Sequence, residues 1–158
     1  MAKLDVIAVT ASSFYKSESF GPGNLIDGNK NFGGWITDVK AWQDAWVEFQ
    51  FAKPTQPNMV EICNGFIEEN IAQTRDDYYF HKRAKDITIN FGGEPHTIFE
   101  IVYFTLKDSK EPQALLLNLT QPITSARITV TSIYDTAPDN AITPYDVMGL
   151  RHIEWHIE

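Results

Sequence analysis

The stretch WVEFQF, Trp46 to Phe51, sets Val47, Phe49 and Phe51 against Trp46, Glu48 and Gln50 in strict alternation. Successive side chains of an extended chain point to opposite faces, so the pattern predicts a strand with one apolar and one wetter side. The same period recurs at Ile87, Ile89 and Phe91, and again at Ile128 and Val130. Further runs rich in β-branched and aromatic residues fall at Leu4 to Thr10, Met59 to Asn64, Thr97 to Leu106, Ala114 to Leu119 and Leu150 to Ile157. Clusters of Gly, Pro, Asn and Asp separate these runs. No capped helix-period stretch of ten residues intervenes, although NLIDG, Asn24 to Gly28, is compatible with one helical turn. The expectation is an all-β sandwich of about eight antiparallel strands.

With 158 residues, 43% of them hydrophobic, residues 1–158 are expected to form a single domain around one core. A formal charge of -8 argues against a surface that tracks nucleic-acid phosphates, and the only compact basic run is His81-Lys82-Arg83. Cys63 is the single cysteine, so no internal disulfide forms, and its setting in VEICNGF reads as a buried strand position. No window approaches the roughly 20 apolar residues of a membrane span, and no basic-then-apolar leader follows Met1.

Seven segments occur in a telling order: VTASSF (Val9 to Phe14), NLIDGNKNFGGW (Asn24 to Trp35), AWVEFQF (Ala45 to Phe51), VEICNGF (Val60 to Phe66), HKRAKDITINF (His81 to Phe91), ARITVTSIY (Ala126 to Tyr134) and GLRHIEWH (Gly149 to His156). Together they resemble the discoidin, or factor V/VIII type C, superfamily. Within it they are most similar to bacterial family-32-like carbohydrate-binding modules and to the glycan-binding domain of NAD glycohydrolases. The resemblance implies a galactose-binding-like β-sandwich with jelly-roll topology, in an extracellular or cell-surface setting. It also implies a structural cation, commonly calcium, wrapped by the Asn-x-x-Asp-Gly loop. Its ligands here would be Asp27, Asn29, backbone oxygens around Asn24 and Phe32, and Glu154 from the last strand. Two positions depart from the pattern. Phe32 or Gly33 stands where Thr or Ser precedes the tryptophan, and His152 stands where the closing Glu is expected, with Glu154 two residues on. An EF-hand reading of Asp27, Asn29 and Asn31 fails because Phe32 occupies the sixth position, where the sharp turn requires glycine.

Three long polar segments interrupt the strands: Ser17 to Asp44, Ile67 to Arg83 and Asp135 to Asp146. Loops at one end of a sandwich cluster, so these are expected to meet. Sugar recognition needs an aromatic plate for the apolar face of the ring and planar polar groups for the hydroxyls. The segments supply Trp35, Trp42, Arg75, Tyr78, His81 and Tyr145, with Trp35 equally suited to capping the core. His152, Glu154 and His156 share one face of the last strand, a set that suits zinc or copper or else a solvated face. Adjacent acids such as Glu68-Glu69 and Asp76-Asp77 point apart on a strand, and no nucleophile elbow, phosphate loop or dinucleotide fingerprint is present. The chain therefore reads as a non-enzyme, a carbohydrate-binding module that brings a parent protein or cell surface to a glycan. The competing reading is a discoidin-type protein-binding adhesion module, followed by a metal-dependent enzyme using the His152 face. The acidic loop sequences EEN and RDD disfavour an anionic membrane surface.

Overall fold

The computed structural model describes residues 1–69, 76–93, 97–136 and 146–158. Arg75 and Tyr145, two of the expected sugar contacts, lie outside the described residues. In chain order the strands are β1 Ala2–Lys3, β2 Val6–Ala11, β3 Trp35–Ile36, β4 Trp46–Thr55, β5 Met59–Asn64 and β6 Lys82–Ala84. They continue with β7 Asp86–Gly93, β8 Thr97–Thr105, β9 Gln113–Leu116, β10 Ile123–Val130, β11 Ile133–Tyr134 and β12 Met148–Ile157. Helical structure among the described residues is limited to short 3₁₀ segments at Glu18–Phe20, Pro22–Ile26 and Asp77–Tyr79. The helical turn compatible with NLIDG is the second of these.

Two sheets form. One runs β2-β4-β10-β7-β8, and the other runs β11-β6-β12-β5-β9 with β1 and β3 also paired to β12. The long strands are those the alternation predicts. The additional ones, β1, β3, β6 and β11, have two or three residues each, too few to show a period in the sequence. One pairing departs from the all-antiparallel expectation: β6 lies parallel to β12, with Met148 opposite Lys82 and Gly149 opposite Arg83. β6 enters the sheet from a long excursion instead of a hairpin, and only a tight turn forces antiparallel pairing.

The sheets pack face to face as a sandwich. Val47, Phe49 and Phe51 of β4 are buried with Ile87, Ile89 and Phe91 of β7, and Val60, Ile62, Ile153 and Trp155 meet them from the opposite sheet. Trp155 is the pivot. Its ring makes edge contacts with Phe49, Phe51 and Phe91 at centroid separations of 5.5, 5.6 and 6.0 Å, the geometry in which positive ring edges meet negative faces. Cys63 is buried as expected, and burial pushes its thiol pKa up. Close approach of β3 to β12 depends on Gly34, at φ +113, because a β-carbon there would stand 2.1 Å from the Leu150 carbonyl oxygen.

Truncating a core aromatic removes its transfer free energy and leaves a cavity. Trp155→Ala is expected to cost about 3–5 kcal/mol, read as a lower urea midpoint at unchanged denaturant slope. A loss below about 1 kcal/mol would show that Trp155 does not join the sheets as described.

Candidate functional site

The register at the start of β12 fixes where the loops meet. Gly149 lies opposite Ile36, Leu150 opposite Asn64 and Met148 beside Lys82. The ends of β3 and β5 and the beginnings of β6 and β12 therefore share one end of the sandwich. A small apolar cluster of Ile36, Phe66 and Val147, with Tyr15 and Phe20 packed on it, caps this end. A cleft of about 160 Å³ opens on the cluster, walled by Tyr15, Phe20 and Phe66 and edged by Lys16, Glu68 and His81. Ring contacts run in series: Tyr15 edge-on to Phe20 at 5.5 Å, Phe20 tilted against Phe66 at 5.9 Å and Phe66 edge-on to His81 at 5.4 Å. Lys16 has φ 57, a left-handed conformation that costs a non-glycine residue about 1 kcal/mol. The ammonium then stands 5.0 Å from the Tyr15 ring centroid. Backbone bonds from Tyr15 N to Ile36 O (2.9 Å) and from Ser17 N to Tyr15 O (2.7 Å) hold this turn.

The segment that carries His81 is held by an ion pair between the buried Arg83 and the partly exposed Asp108. Arg83 donates through Nε and Nη2 to both carboxylate oxygens of Asp108, at 2.9 and 2.8 Å, and Tyr78 Oη donates to the same carboxylate at 2.8 Å. Arg83 Nη1 also donates to the backbone oxygens of His81 and Asp135, which pins the residue whose imidazole edges the cleft. Burial, followed by the bond to Asp108, pushes the Tyr78 pKa up. Burial opposes ionisation of Asp108, yet the bonds from Arg83 and Tyr78 outweigh it and hold the carboxyl below its ordinary value. Tyr78 reaches this position because Gly65, at φ +74, has no β-carbon; one would stand 2.6 Å from the Tyr78 ring. Glu68 is oriented from below as well, its N–H donating to the buried Asp77 carboxylate at 2.6 Å.

Of the sugar contacts expected from sequence, His81 edges the cleft with 5% of its surface exposed. Trp35 and Tyr78 do not reach it. Both are fully buried, the Trp35 indole N–H donating to Ser13 O at 2.7 Å, and their bulk supports the loops instead of facing a ligand. Trp42 is half-buried against the main core, its indole N–H donating to Asp146 Oδ1 at 3.0 Å. Tyr15, Lys16, Phe20 and Glu68 escape the sequence reading. The first two fall just before the loop boundary drawn at Ser17, and Glu68 reads as loop solubility unless Asp77 is known to hold its backbone.

Neither a protein-family model nor a curated protein matches the sequence. Solved structures do match across the whole chain. The family 32 carbohydrate-binding module of AlyQ, in complex with 4,5-unsaturated mannuronic acid, is 16% identical with a TM-score of 0.70 and 100% of both chains covered. A pectin-binding carbohydrate-binding module is 15% identical at a TM-score of 0.65, covering 98% of this chain and 92% of that one. The family 32 module of NanJ from C. perfringens, in complex with galactose, is 12% identical at 0.62, with 98% of each chain covered. The chain has the galactose-binding-like β-sandwich fold of the discoidin domains and family 32 modules.

In this galactose-binding-like sandwich the side chains of the expected calcium ligands contact groups of the chain itself. Asn24 turns its amide nitrogen inward, donating to Ser19 O at 2.8 Å and Gly34 O at 3.1 Å. Asp27 and Asn29 accept from backbone N–H groups of their own loop, Asn29 N at 2.8 Å and Asn31 N and Phe32 N at 3.0 Å. Lys30 places its ammonium 2.6 Å from Glu61 and 3.4 Å from Glu154, and Lys3 lies 3.3 Å from Glu154. Arg151, 2% exposed, donates to Lys30 O at 2.6 Å, to Asn64 O at 2.7 Å and to Lys110 O. Among the described residues no three histidine, cysteine or acidic side chains converge on a metal position. These residues do not fit a calcium ion: two side-chain cations tie the loop to the last strand, and a dication beside them would be repelled. The zinc or copper set fails for the same reason. Glu154 lies between His152 and His156 at 3.4 and 3.2 Å and is bound by both lysines. Against the cost of burial, these partners hold its carboxyl at about 2. The solvated-face alternative fails too, since His152 is fully buried and burial lowers its pKa.

Two outcomes follow from these contacts. Asp108→Asn leaves the buried Arg83 guanidinium without its counter-ion and, because the Asp108 side is open to solvent, is expected to cost about 1–2 kcal/mol. Because the folded-state pKa of Asp108 is lowered, its contribution is complete above pH ~4 and lost on further acidification; a guanidinium melt of the variant equal to wild type would refute the support role. The melting temperature is also expected to be the same in EDTA and in millimolar calcium, while Arg151→Met lowers it by several degrees. A calcium-dependent rise in melting temperature would restore the cation reading.

Proposed function

We propose that this chain is a non-catalytic glycan-binding module whose loop-end cleft holds one sugar ring. The observation that carries the reading is the cleft itself: an aromatic wall of Tyr15, Phe20 and Phe66 facing Lys16, Glu68 and His81. A pyranose presents an apolar C–H face and a rim of hydroxyls, so it gains from a ring to stack on and from charged groups that bond pairs of hydroxyls. The fold supports the same reading, because its structural neighbours include modules solved with galactose and with unsaturated mannuronic acid. Targeting of a parent protein or cell surface to a glycan, in an extracellular or surface-attached setting, is part of the proposal. A small open site implies affinity in the micromolar to millimolar range, about −4 to −8 kcal/mol.

Glu68 is exposed, so Glu68→Gln changes hydrogen bonding without disturbing the core. Glycan-array binding followed by calorimetry is expected to find a related set of sugars bound by the wild type, with affinity at least ten-fold weaker in Glu68→Gln and in His81→Ala. Wild-type affinity in both variants, with melts showing both folded, would remove the cleft from the binding reaction.

A further inference from the structure

The register of the five-stranded sheet aligns its outward side chains in rows. Glu48, Arg127, Asn90 and Ile101 stand in one, and Gln50, Ser125, Gly92 and Ile98 in the next. A groove of about 290 Å³ lies over these rows, far from the loop-end cleft in residue composition and on a different surface of the sandwich. Its polar groups are partly withdrawn from solvent: the Glu48 side chain is 16% exposed and that of Arg127 34%.

The chemistry of the groove is specific in three respects. First, its charges cancel. Arg127 Nε donates to Glu48 Oε1 at 3.2 Å, and the guanidinium lies over the Trp46 ring, 3.7 Å from its centroid. The floor offers an anionic ligand no surplus cation, on a chain of net charge -8. Second, the Asn90 amide and the Ser125 hydroxyl have no hydrogen-bond partner among the described residues, so their bonding capacity is directed outward. Third, the β8 side is apolar, with Ile98 and Ile101 exposed in the same two rows. One row further on, Trp46, Thr129, Thr88 and Tyr103 align, with Tyr103 73% exposed. Its two aromatic residues are three strand spacings apart, about 14 Å.

We propose that this groove is a second glycan-binding surface, taking an uncharged linear oligosaccharide laid across the strands, with Asn90, Ser125 and the amide oxygen of Gln50, whose Nε2 donates to Glu48 at 3.5 Å, bonding its hydroxyls, Ile98 meeting its C–H faces and the exposed Ile101 extending the apolar side beyond the groove. The loop-end cleft takes a single ring; the groove takes a chain segment. The two sites use separate residues, so either can fail without the other.

Affinity electrophoresis in soluble galactomannan, mixed-linkage β-glucan and arabinoxylan, with alginate as the charged comparison, separates the possibilities. At least one neutral polymer is expected to retard the wild type. Asn90→Ala and Gln50→Ala, each folded by thermal melt, are expected to weaken that retardation at least five-fold. Retardation by no neutral polymer, or wild-type mobility shifts in both groove variants, overturns the proposal. So does alginate retardation that is lost in Asn90→Ala, which would make the ligand anionic. A wild-type dimer in gel filtration that Tyr103→Glu dissociates would assign the face to a second copy of the chain and overturn it as well.

Discussion

A guanidinium taken out of water must have its N–H groups satisfied, and the Arg151 side chain donates to backbone carbonyls from three segments. Those carbonyls belong to Lys30, Asn64 and Lys110, three segments far apart in sequence, so the fold has to bring them to one point on β12. Much of the loop end follows from that requirement. The loop at Lys30 is drawn down just before Gly34 and β3, and the end of β5 is drawn in just before Phe66 and Glu68 enter the cleft. An apolar residue at position 151 would pack on β12 without gathering these segments.

Lys30 acts on the same loop from the other side. Its ammonium sits between Glu61 of β5 and Glu154 of β12, neighbours across the antiparallel ladder that would otherwise repel one another. Contacts of this kind add little when fully exposed, but here Glu154 also faces Lys3 and two histidines on a mostly buried strand. The network therefore acts as a unit. Fixed charges on the chain provide the cross-links for which a divalent ion would otherwise supply coordination.

The long strands were legible because burial on one face and wetting on the other print a period of two directly into Val47, Phe49 and Phe51, or Ile87, Ile89 and Phe91. β3 and β6 print nothing, since two or three residues placed by neighbouring strands need no alternation of their own. For the candidate site the sequence supplies residue types but not which of them the fold leaves accessible. Trp35 and Tyr78 carry the residue types of a sugar platform, yet each is claimed by a backbone contact invisible in sequence: Gly34 lets β3 close on β12 above Trp35, and Gly65 admits the Tyr78 ring toward Asp108. Tyr15 and Lys16 were missed because a left-handed lysine has no sequence signature. Glu154 was recognised as important, but its partners, Lys3 and Lys30, come from the other end of the chain and cannot be assigned by local spacing.

The supports below the cleft bear on how it would bind. A shallow site gains little surface, so the cost of ordering its own side chains decides whether any affinity remains. Here that ordering is already present in the fold. The His81 backbone is held by Arg83, itself locked to Asp108 and Tyr78; Glu68 hangs from the Asp77 carboxylate; and Lys16 is held in a left-handed turn by the bond from Tyr15 to Ile36. The conformational strain at Lys16 persists only because its neighbours over-determine it. The sheet groove is ordered by a different means, the contacts of Arg127 with the Trp46 ring and the Glu48 carboxylate. Rigid polar groups on both surfaces fit recognition by a few well-placed bonds, in which specificity arises from geometry fixed before the ligand arrives.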